Sequence, residues 1–213
     1  MSDSKKIANA LLDSQAVRVS LDPLFTWSSG LKSPVYCDLR SLNSNIEVRR
    51  QITAAFAELV NADEFDVIAG TSTAGIAWAA WLAESLNKPM VYVRGTSKGH
   101  GTKQRVEGKI EKGLRVLVVE DLVSTGGSSA DTVRALREDC DATVTDIVAI
   151  NSYLMSKADV LFADLNVKLT TLTDFGVILD TLMERGDFST DQIEVLKDFA
   201  SDPAGWADRH GLA

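Results

Sequence analysis

The chain has 213 residues, of which 45% are hydrophobic and 24% are charged, and its formal net charge is -8 at pH 7. The acidic balance argues against general nucleic-acid binding. No apolar run approaches the ~20 residues that a membrane helix needs, and the N-terminus has no signal-like apolar core. Cys37 and Cys140 have neither the spacing of metal ligands nor the number that a disulfide framework needs. We therefore expect a cytoplasmic protein that binds neither nucleic acid nor membrane.

The first 40 residues predict a helix followed by a small antiparallel unit. Ile7 and Leu11 lie four residues apart, which is the spacing of an apolar stripe on an opening helix. Residues 16–20 alternate like a short strand, and a second short strand is predicted at residues 35–38 after turn signals. We interpret residues 16–40 as a small antiparallel subdomain, called the hood here.

Helices and strands then alternate, which predicts a doubly wound, mainly parallel sheet with helices on both faces, in one domain spanning residues 1–213. The predicted strands are residues 66–70, 90–94, 115–120, 143–151 and 168–172, and the predicted helices are residues 46–60, 75–86, 127–138, 175–184 and 190–199. Ligands of such sheets bind beyond the carboxyl ends of the strands. The loops at residues 70–75, 94–112 and 120–129 are therefore expected to converge on a cleft.

The stretch most informative about function is residues 114–129, which reads LRVLVVEDLVSTGGSS. Its nearly continuous apolar start predicts a strand buried on both faces, and Glu120 and Asp121 are expected to end that strand. A small turn rich in hydroxyls and glycine follows at residues 124–128, called the phosphate turn here. Its backbone N–H groups and the positive end of the next helix would bind a phosphate. The two acids would hold sugar hydroxyls.

A plainer alternative for this turn is that Ser124 or Thr125 only caps the helix, while the acids face water. The paired acids and the absence of Lys from the turn favour the phosphate site. The turn is neither a Walker loop, which needs G-x-x-x-x-G-K-[ST], nor a G-x-G-x-x-G dinucleotide motif. It therefore predicts a phosphate site of another type.

A second informative segment is residues 94–112, which carry six cations against two acids, a local charge of +4 in a chain whose total is -8. Its cations are Arg94, Lys98, Lys103, Arg105, Lys109 and Lys112. Residues 95–112 predict a mobile, glycine-rich lid that closes over an anionic ligand and excludes water. A solvated surface loop is the alternative. Arg94, Lys98 and His100 lie nearest the preceding strand and are the favoured ligand contacts.

Residues 70–75 read GTSTAG and predict a second phosphate site, in which the backbone amides of the segment hold the ligand. The segment Thr71, Ser72, Thr73 and Ala74 is called the diphosphate loop here. A helix N-cap made by Ser72 or Thr73 is an equal alternative. No cluster of His, Cys, Asp and Glu suggests a dedicated metal cage. Mg²⁺ would therefore arrive on a diphosphate, with the ligand and water supplying most of its oxygens.

Two residues of the C-terminal tail have structural interpretations. Trp206 is expected to pack against the body of the domain rather than bind a ligand. His210 lies in a polar stretch, ADRHGLA, and is expected to be exposed. Neither residue is a predicted site residue.

Five segments of the chain form a set: PLFTWSSGLKSPVYCD, VIAGTSTAGI, MVYVR, KGHG and VVEDLVSTGGS. Together they resemble the bacterial orotate phosphoribosyltransferases, of the type I phosphoribosyltransferase family, over roughly residues 11–173. The resemblance implies transfer of a phosphoribosyl group from phosphoribosyl diphosphate (PRPP) to orotate, giving orotidine 5′-phosphate and diphosphate, with Mg²⁺, in pyrimidine synthesis. It also implies a homodimer in which the lid reaches the active site of the partner subunit.

The resemblance further assigns site residues by position. The implied PRPP contacts are Arg94, Lys98, His100, Glu120, Asp121, Leu122, Val123, Ser124, Thr125, Gly126, Gly127 and Ser128, together with Thr71, Ser72, Thr73 and Ala74. The implied orotate contacts are Ser124, Tyr36 and Cys37. The implied catalytic group is Arg94, Lys98, His100 and Asp121. Lys32 is our candidate for the orotate carboxylate, because an Arg that reaches the base in some family members has no obvious counterpart here.

The chain departs from some family members at four positions. Ser28 and Gly95 stand where those members carry Lys, and Thr73-Ala74 stand where they carry Tyr-Lys. Ser124 favours a pyrimidine, since purine-specific relatives carry Asp there and a carboxylate would repel the negative charge of orotate. Two alternatives stay open: transfer to another base, and a regulatory protein that binds PRPP without catalysis.

Overall fold

The computed structural model describes residues 3–27, 30–95 and 104–212. The strands in this part of the chain are β1 (Val17–Val19), β2 (Phe25–Thr26), β3 (Lys32–Ser33), β4 (Val35–Cys37), β5 (Val67–Thr71), β6 (Met90–Val93), β7 (Val106–Glu107), β8 (Arg115–Val123), β9 (Thr143–Ser152) and β10 (Lys168–Thr171). The α-helices are α1 (Asp3–Asp13), α2 (Ile46–Leu59), α3 (Gly75–Leu86), α4 (Gly127–Cys140), α5 (Ser156–Asp164), α6 (Phe175–Arg185), α7 (Thr190–Lys197) and α8 (Trp206–Arg209). Short 3₁₀ helices lie at Leu39–Ser44, Ala62–Glu64 and Asp198–Ala200. Within these ranges no helix has the length and apolar character to cross a membrane.

Six strands form one sheet in the order β10-β9-β8-β5-β6-β7, and every neighbouring pair is parallel except β6 and β7. Two apolar clusters cover its faces. Leu117 and Val119 of β8 belong to the cluster that includes α1, α2, α3, α6 and α7, while Val116 and Val118 belong to the cluster with α4 and α5. Such strands are apolar at every position because both faces are covered. The predicted doubly wound α/β architecture is confirmed.

Strand β8 is longer than predicted. Leu122 and Val123 continue the parallel ladder with the last two residues of β9. The prediction that the two acids end the strand is therefore wrong, because pairing with β9 carries β8 past them. Successive side chains of a strand point to opposite faces of the sheet, so Glu120 and Asp121 are directed to opposite faces.

The hood consists of two small antiparallel pairs, of which β1 with β4 corresponds to the two predicted short strands, while β2 with β3 was not predicted. β1 pairs with β4, in a register that aligns Val17 with Cys37, and β2 pairs with β3. Val17 and Val35 are buried in the same core cluster as α1. The indole Nε1 of Trp27 donates a hydrogen bond to the carbonyl oxygen of Val35 at 3.0 Å. The hydrogen bond joins two parts of the hood, and the burial of Val17 and Val35 attaches the hood to the core.

Helix α5, between β9 and β10, was not predicted. Of its nine residues only Ala158 and Phe162 are buried, four positions apart. Its N-cap residue, Met155, makes no side-chain capping hydrogen bond. The helix therefore lacks both the cap signal and the extended apolar stripe by which helices are recognised in a sequence. Packing against α4 and the sheet stabilises it instead.

The C-terminal tail folds against α7 through α8. Trp206 is fully buried, and its Nε1 donates to the carbonyl oxygen of Val195 at 2.8 Å, which confirms the predicted packing. The prediction that His210 is exposed is wrong. It is half-buried, with Nε2 at 3.0 Å from Oδ2 of Asp198, because the burial of Trp206 brings α8 and the residue after it against the 3₁₀ helix at Asp198–Ala200.

Helix α3 begins in direct contact with β8. A Cβ atom at Gly75 would lie 2.4 Å from the carbonyl oxygen of Val119 and 3.2 Å from the Cα of Glu120. Real side chains do not approach a backbone oxygen so closely, so only glycine fits. This contact holds the diphosphate loop beside the strand that carries the two acids.

We expect Gly75→Ala to lower the free energy of unfolding by about 1–3 kcal/mol, because α3 or β8 must move to admit the methyl group. Urea unfolding without ligand measures this. Gly127→Ala is a matched control, since Gly127 also begins a helix but a Cβ there would meet nothing within 4 Å. Its stability should stay within about 1 kcal/mol of the wild type. Equal unfolding midpoints for the two variants would contradict the close approach.

Candidate active site

The phosphate turn joins β8 to α4 and leaves the start of α4 without a side-chain cap. The N-cap residue of α4 is Gly126, with a φ of 78°, and no side chain caps the first turn. A Cβ at Gly126 would lie 2.9 Å from the ring of Phe162, so both conformation and space select glycine. The alternative in which Ser124 or Thr125 caps the helix is wrong. The first amides of α4 are thus in place for an anion.

Glu120 faces the start of α4. Glu120 is only 4% exposed. The hydroxyls of Ser128 and Ser129 each donate a hydrogen bond to its Oε2 at 3.0 Å. Burial, together with the neighbouring charge of Asp121, raises the pKa of Glu120 to about 8. A largely protonated Glu120 therefore braces the phosphate turn through Ser128 at neutral pH.

Asp121 faces the hood, on the other side of the sheet, and is partly exposed. Burial raises its pKa, and the positive charge of Arg40 is among the influences that oppose the rise. Burial and then the charge of Asp121 raise the pKa of Cys37 far above its ordinary value. Burial, followed by the nearby Cys37, likewise raises the pKa of Tyr153 far above its ordinary value. The thiol and phenol beside Asp121 are therefore neutral.

A cleft of about 450 Å³ opens between the hood and the C-terminal ends of β8 and β9, and is called the base cleft here. It is lined by Thr26, Trp27, Tyr36, Cys37, Arg40, Leu122, Ser124 and Tyr153. Four of these, Tyr36, Cys37, Leu122 and Ser124, were assigned to the site from the sequence. The structure thus brings the predicted orotate residues of the hood onto the end of the phosphate turn.

Four residues of the base cleft were not predicted. Trp27 and Tyr153 stack with ring centroids 5.7 Å apart and planes inclined by 15°, and form an aromatic wall. Thr26, Trp27 and Arg40 lie in or next to the hood segment that carries the family resemblance, which is the signal that pointed to them. Tyr153 follows β9 and carries no such signal. Lys32 is exposed in β3 and is not among the residues that line the cleft.

The predicted diphosphate site lies on the other side of the phosphate turn. A small cavity of about 40 Å³ is lined by Thr71, Ser72, Val93, Arg94, Gly95, Arg105, Ser128, Asp131 and Thr132. The hydroxyl of Thr71 is buried and has no hydrogen-bond partner in the described part of the chain. Thr73 is exposed, and Ala74 is the N-cap residue of α3 without a side-chain cap. The alternative in which Ser72 or Thr73 caps α3 is therefore wrong.

Arg94 is held at this cavity by two neighbours. Its Nε lies 3.2 Å from Oε1 of Glu107, in the antiparallel partner strand β7. The Nε of Arg105 donates to the carbonyl oxygen of Arg94 at 3.0 Å, and the backbone N–H of Arg105 donates to Asp139 at 2.9 Å. Part of the predicted lid is thus a strand that fixes Arg94.

Two predicted catalytic residues, Lys98 and His100, lie outside the described residues. In the ranges that are described, no group of three or more His, Cys, Asp and Glu residues has the arrangement of a metal site. The carboxylate of Asp121, whose charge acts on Cys37 of the base cleft, is of the oxygen type that Mg²⁺ prefers. That donor fits a metal that is held mainly by a bound diphosphate.

The raised pKa of Glu120 predicts a pH-dependent stability. The folded state binds its proton more tightly than the unfolded chain, so this contribution is complete below about pH 4.5 and is lost as pH rises through about 8. Relative to Glu120→Gln, the wild type should lose unfolding free energy between pH 5 and pH 8, with a slope approaching about 1.4 kcal/mol per pH unit. Urea unfolding of both proteins at four pH values measures the difference. A difference that does not change with pH would show that Glu120 titrates normally.

Comparison with known proteins identifies the family. The sequence model of the phosphoribosyl transferase domain matches residues 39–163. The orotate phosphoribosyltransferase of Staphylococcus haemolyticus is 44% identical over 196 residues, which cover 91% of this chain and 96% of that protein. The orotate phosphoribosyltransferase of Lactococcus lactis subsp. lactis is 45% identical over 208 residues, which cover 97% of this chain and 99% of that protein.

Solved structures agree. The crystal structure of orotate phosphoribosyltransferase from Aeropyrum pernix superposes with a TM-score of 0.73 at 33% identity, over 86% of this chain and 99% of that chain. The structure of Leishmania donovani UMP synthase superposes with a TM-score of 0.77 at 28% identity, over 92% of this chain and 42% of that chain. With its uncapped phosphate turn, its base cleft and these relatives, the chain belongs to the phosphoribosyl transferase domain family and, within it, to the orotate phosphoribosyltransferases.

Proposed function

We propose that the protein transfers the phosphoribosyl group of PRPP to N1 of orotate, giving orotidine 5′-phosphate and diphosphate, as a step of pyrimidine biosynthesis in the cytoplasm. The observation that carries the proposal is the meeting of the phosphate turn and the base cleft at Ser124, with Asp121 close enough for its charge to act on Cys37 of that cleft. Relatives that are 44–45% identical to this protein over nearly the whole chain are named for this activity. The alternative of a regulatory PRPP-binding protein has no comparable support.

Each part of the two substrates has a complementary part of the site. The 5′-phosphate would bind the amides of residues 125–128, where the uncapped start of α4 favours an anion. Asp121 would accept hydrogen bonds from the ribose hydroxyls. Orotate would lie in the base cleft between Ser124 and the backbone around Tyr36 and Cys37. The diphosphate would extend toward Thr71 and Arg94.

Catalysis in this arrangement would come from positioning and from charge. We propose that the bond from the ribose C1 to diphosphate breaks through a transition state with oxocarbenium character while orotate N1 attacks. Arg94 in the small cavity, with Lys98 and His100 of the lid, would stabilise the negative charge that develops on the leaving diphosphate. Mg²⁺ bound to the diphosphate would neutralise part of that charge. A closed lid would exclude water from the C1 atom.

The direct test is an assay against a panel of bases with PRPP and Mg²⁺. We expect orotate to be converted, and uracil, adenine, hypoxanthine and xanthine to react at least ~10²-fold more slowly in kcat/KM, because Ser124 presents a neutral hydroxyl to an anionic ring. Chromatography of the nucleotide products measures each rate. Faster turnover of another base would replace orotate as the substrate. PRPP binding without turnover of any base would instead identify the regulatory protein.

We further propose a homodimer in which the lid of one subunit serves the site of its partner. The family resemblance supports this assignment through Lys98 and His100. In such a dimer, the lid residues and Asp121 of one active site come from different chains. Two variants that are each inactive can then complement each other.

Lys98→Ala and Asp121→Asn should each lower kcat/KM by roughly 10²-fold as homodimers, by analogy with the loss of one transition-state contact. When the two variants are mixed in equal amounts and allowed to exchange subunits, about one quarter of the sites combine an intact lid with an intact Asp121. Activity should therefore recover to about one quarter of the wild type. Wild-type melting temperatures of both variants are the control for folding. No recovery after demonstrated exchange would mean that each lid serves its own subunit.

A further inference from the structure

Arg40 is the only positively charged residue among the described residues that line the base cleft. It lies in the 3₁₀ helix Leu39–Ser44, directly after β4. Leu39 and Leu42 of that helix are each 1% exposed, so the short helix is anchored in the core while Arg40 lies at the cleft. A cation in this position has a fixed backbone and a free side-chain end.

The side chain of Arg40 is held at one nitrogen and open at the others. Its Nε donates to Oδ1 of Asp38 at 3.2 Å. Within the described residues its two Nη groups make no hydrogen bond, and 67% of the side chain is exposed. Asp38 thus orients the guanidinium and leaves the paired Nη donors for a ligand. Such a fork matches the geometry of a carboxylate.

We propose that Arg40 binds the carboxylate of orotate and is the residue that selects a pyrimidine bearing this group. The proposal rests on the proposed function and names the recognition element of the same site. The carboxylate of orotate is attached to C6, the ring atom next to N1, where the ribose becomes attached. The anchor must therefore lie close both to the base and to the ribose.

Arg40 meets both requirements. It lines the base cleft together with Tyr36 and Ser124. Its charge also acts on Asp121, the acid assigned to the ribose hydroxyls. Lys32 meets neither, since it is exposed in β3 and does not line the cleft. Orotate without a cation would bring a second negative charge near Asp121, so Arg40 also offsets that repulsion.

The test uses two nucleotides that differ only in the carboxylate, orotidine 5′-phosphate and uridine 5′-phosphate. We expect the wild type to bind the first more tightly, and Arg40→Gln to weaken its binding about 10- to 100-fold while leaving uridine 5′-phosphate nearly unchanged. Arg40→Lys keeps the charge but not the paired guanidinium donors, so its affinity for orotidine 5′-phosphate should lie between those of the wild type and Arg40→Gln. Titration calorimetry measures the dissociation constants. The KM for orotate should rise with little change in the KM for PRPP.

Lys32→Gln is the matched control, because it removes a cation from the hood outside the cleft, and it should leave both nucleotides unaffected. Unchanged binding of uridine 5′-phosphate shows that Arg40→Gln has folded with an intact phosphate turn. Three results would overturn the role of Arg40: no preference of the wild type for the carboxylate, a preference retained by Arg40→Gln, or an equal loss for both nucleotides. If the wild type converts orotate, these results contradict Arg40 alone. Failure of the wild type to convert orotate contradicts the proposed function itself.

Discussion

The continuation of β8 beside β9, past the two adjacent acids, determines how the site is built. Because the ladder extends to Val123, Glu120 and Asp121 remain in extended backbone and point to opposite faces of the sheet. One acid is buried against the start of α4 and braces the phosphate turn, while the other faces the hood, where its charge acts on Cys37 of the base cleft. Two neighbouring carboxylates that look equivalent in the sequence thus acquire different environments. The close contact of Gly75 with β8 adds the diphosphate loop to the same strand end.

An acidic protein that binds a highly anionic substrate must control charge locally. The net charge is -8, yet the described residues that line the base cleft include one arginine and no acid, and those that line the diphosphate cavity include two arginines against one aspartate. Burial favours the protonated forms of Glu120, Cys37 and Tyr153, and the phosphate turn relies on amides rather than on a lysine. Formal cations stand where we assign the negative ends of the substrates: Arg94 beside the diphosphate cavity and Arg40 in the base cleft. The charge of Asp121 acts on Cys37 of the base cleft, and ribose hydroxyls are neutral donors suited to this acid.

The predictions that succeeded rest on periodicity and on local turn chemistry. The apolar run before Glu120 predicted a strand covered on both faces. Helix α3 begins and ends as predicted because its apolar pattern ends at Leu86, and Asn87 adopts the left-handed conformation that ends a helix. The predictions that failed also have physical causes. Helix α5 has two buried residues and no cap, so no local signal marks it. The end of β8 was predicted too early because charged residues usually mark the end of a buried strand. Here the pairing with β9 continues past Glu120 and Asp121 to Val123.

The sequence by itself determined most of the elements, their alternation, the phosphate turn and the family, since these depend on residues that are close together in the chain. It did not determine which acid is buried against α4 and which faces the hood, or which cation lines the base cleft. Those depend on the pairing of β8 with β9 and of β1 with β4, which joins residues far apart in the chain. Arg40 and Tyr153 are more than a hundred positions apart, and only the packing of the hood on the sheet brings them to the same cleft.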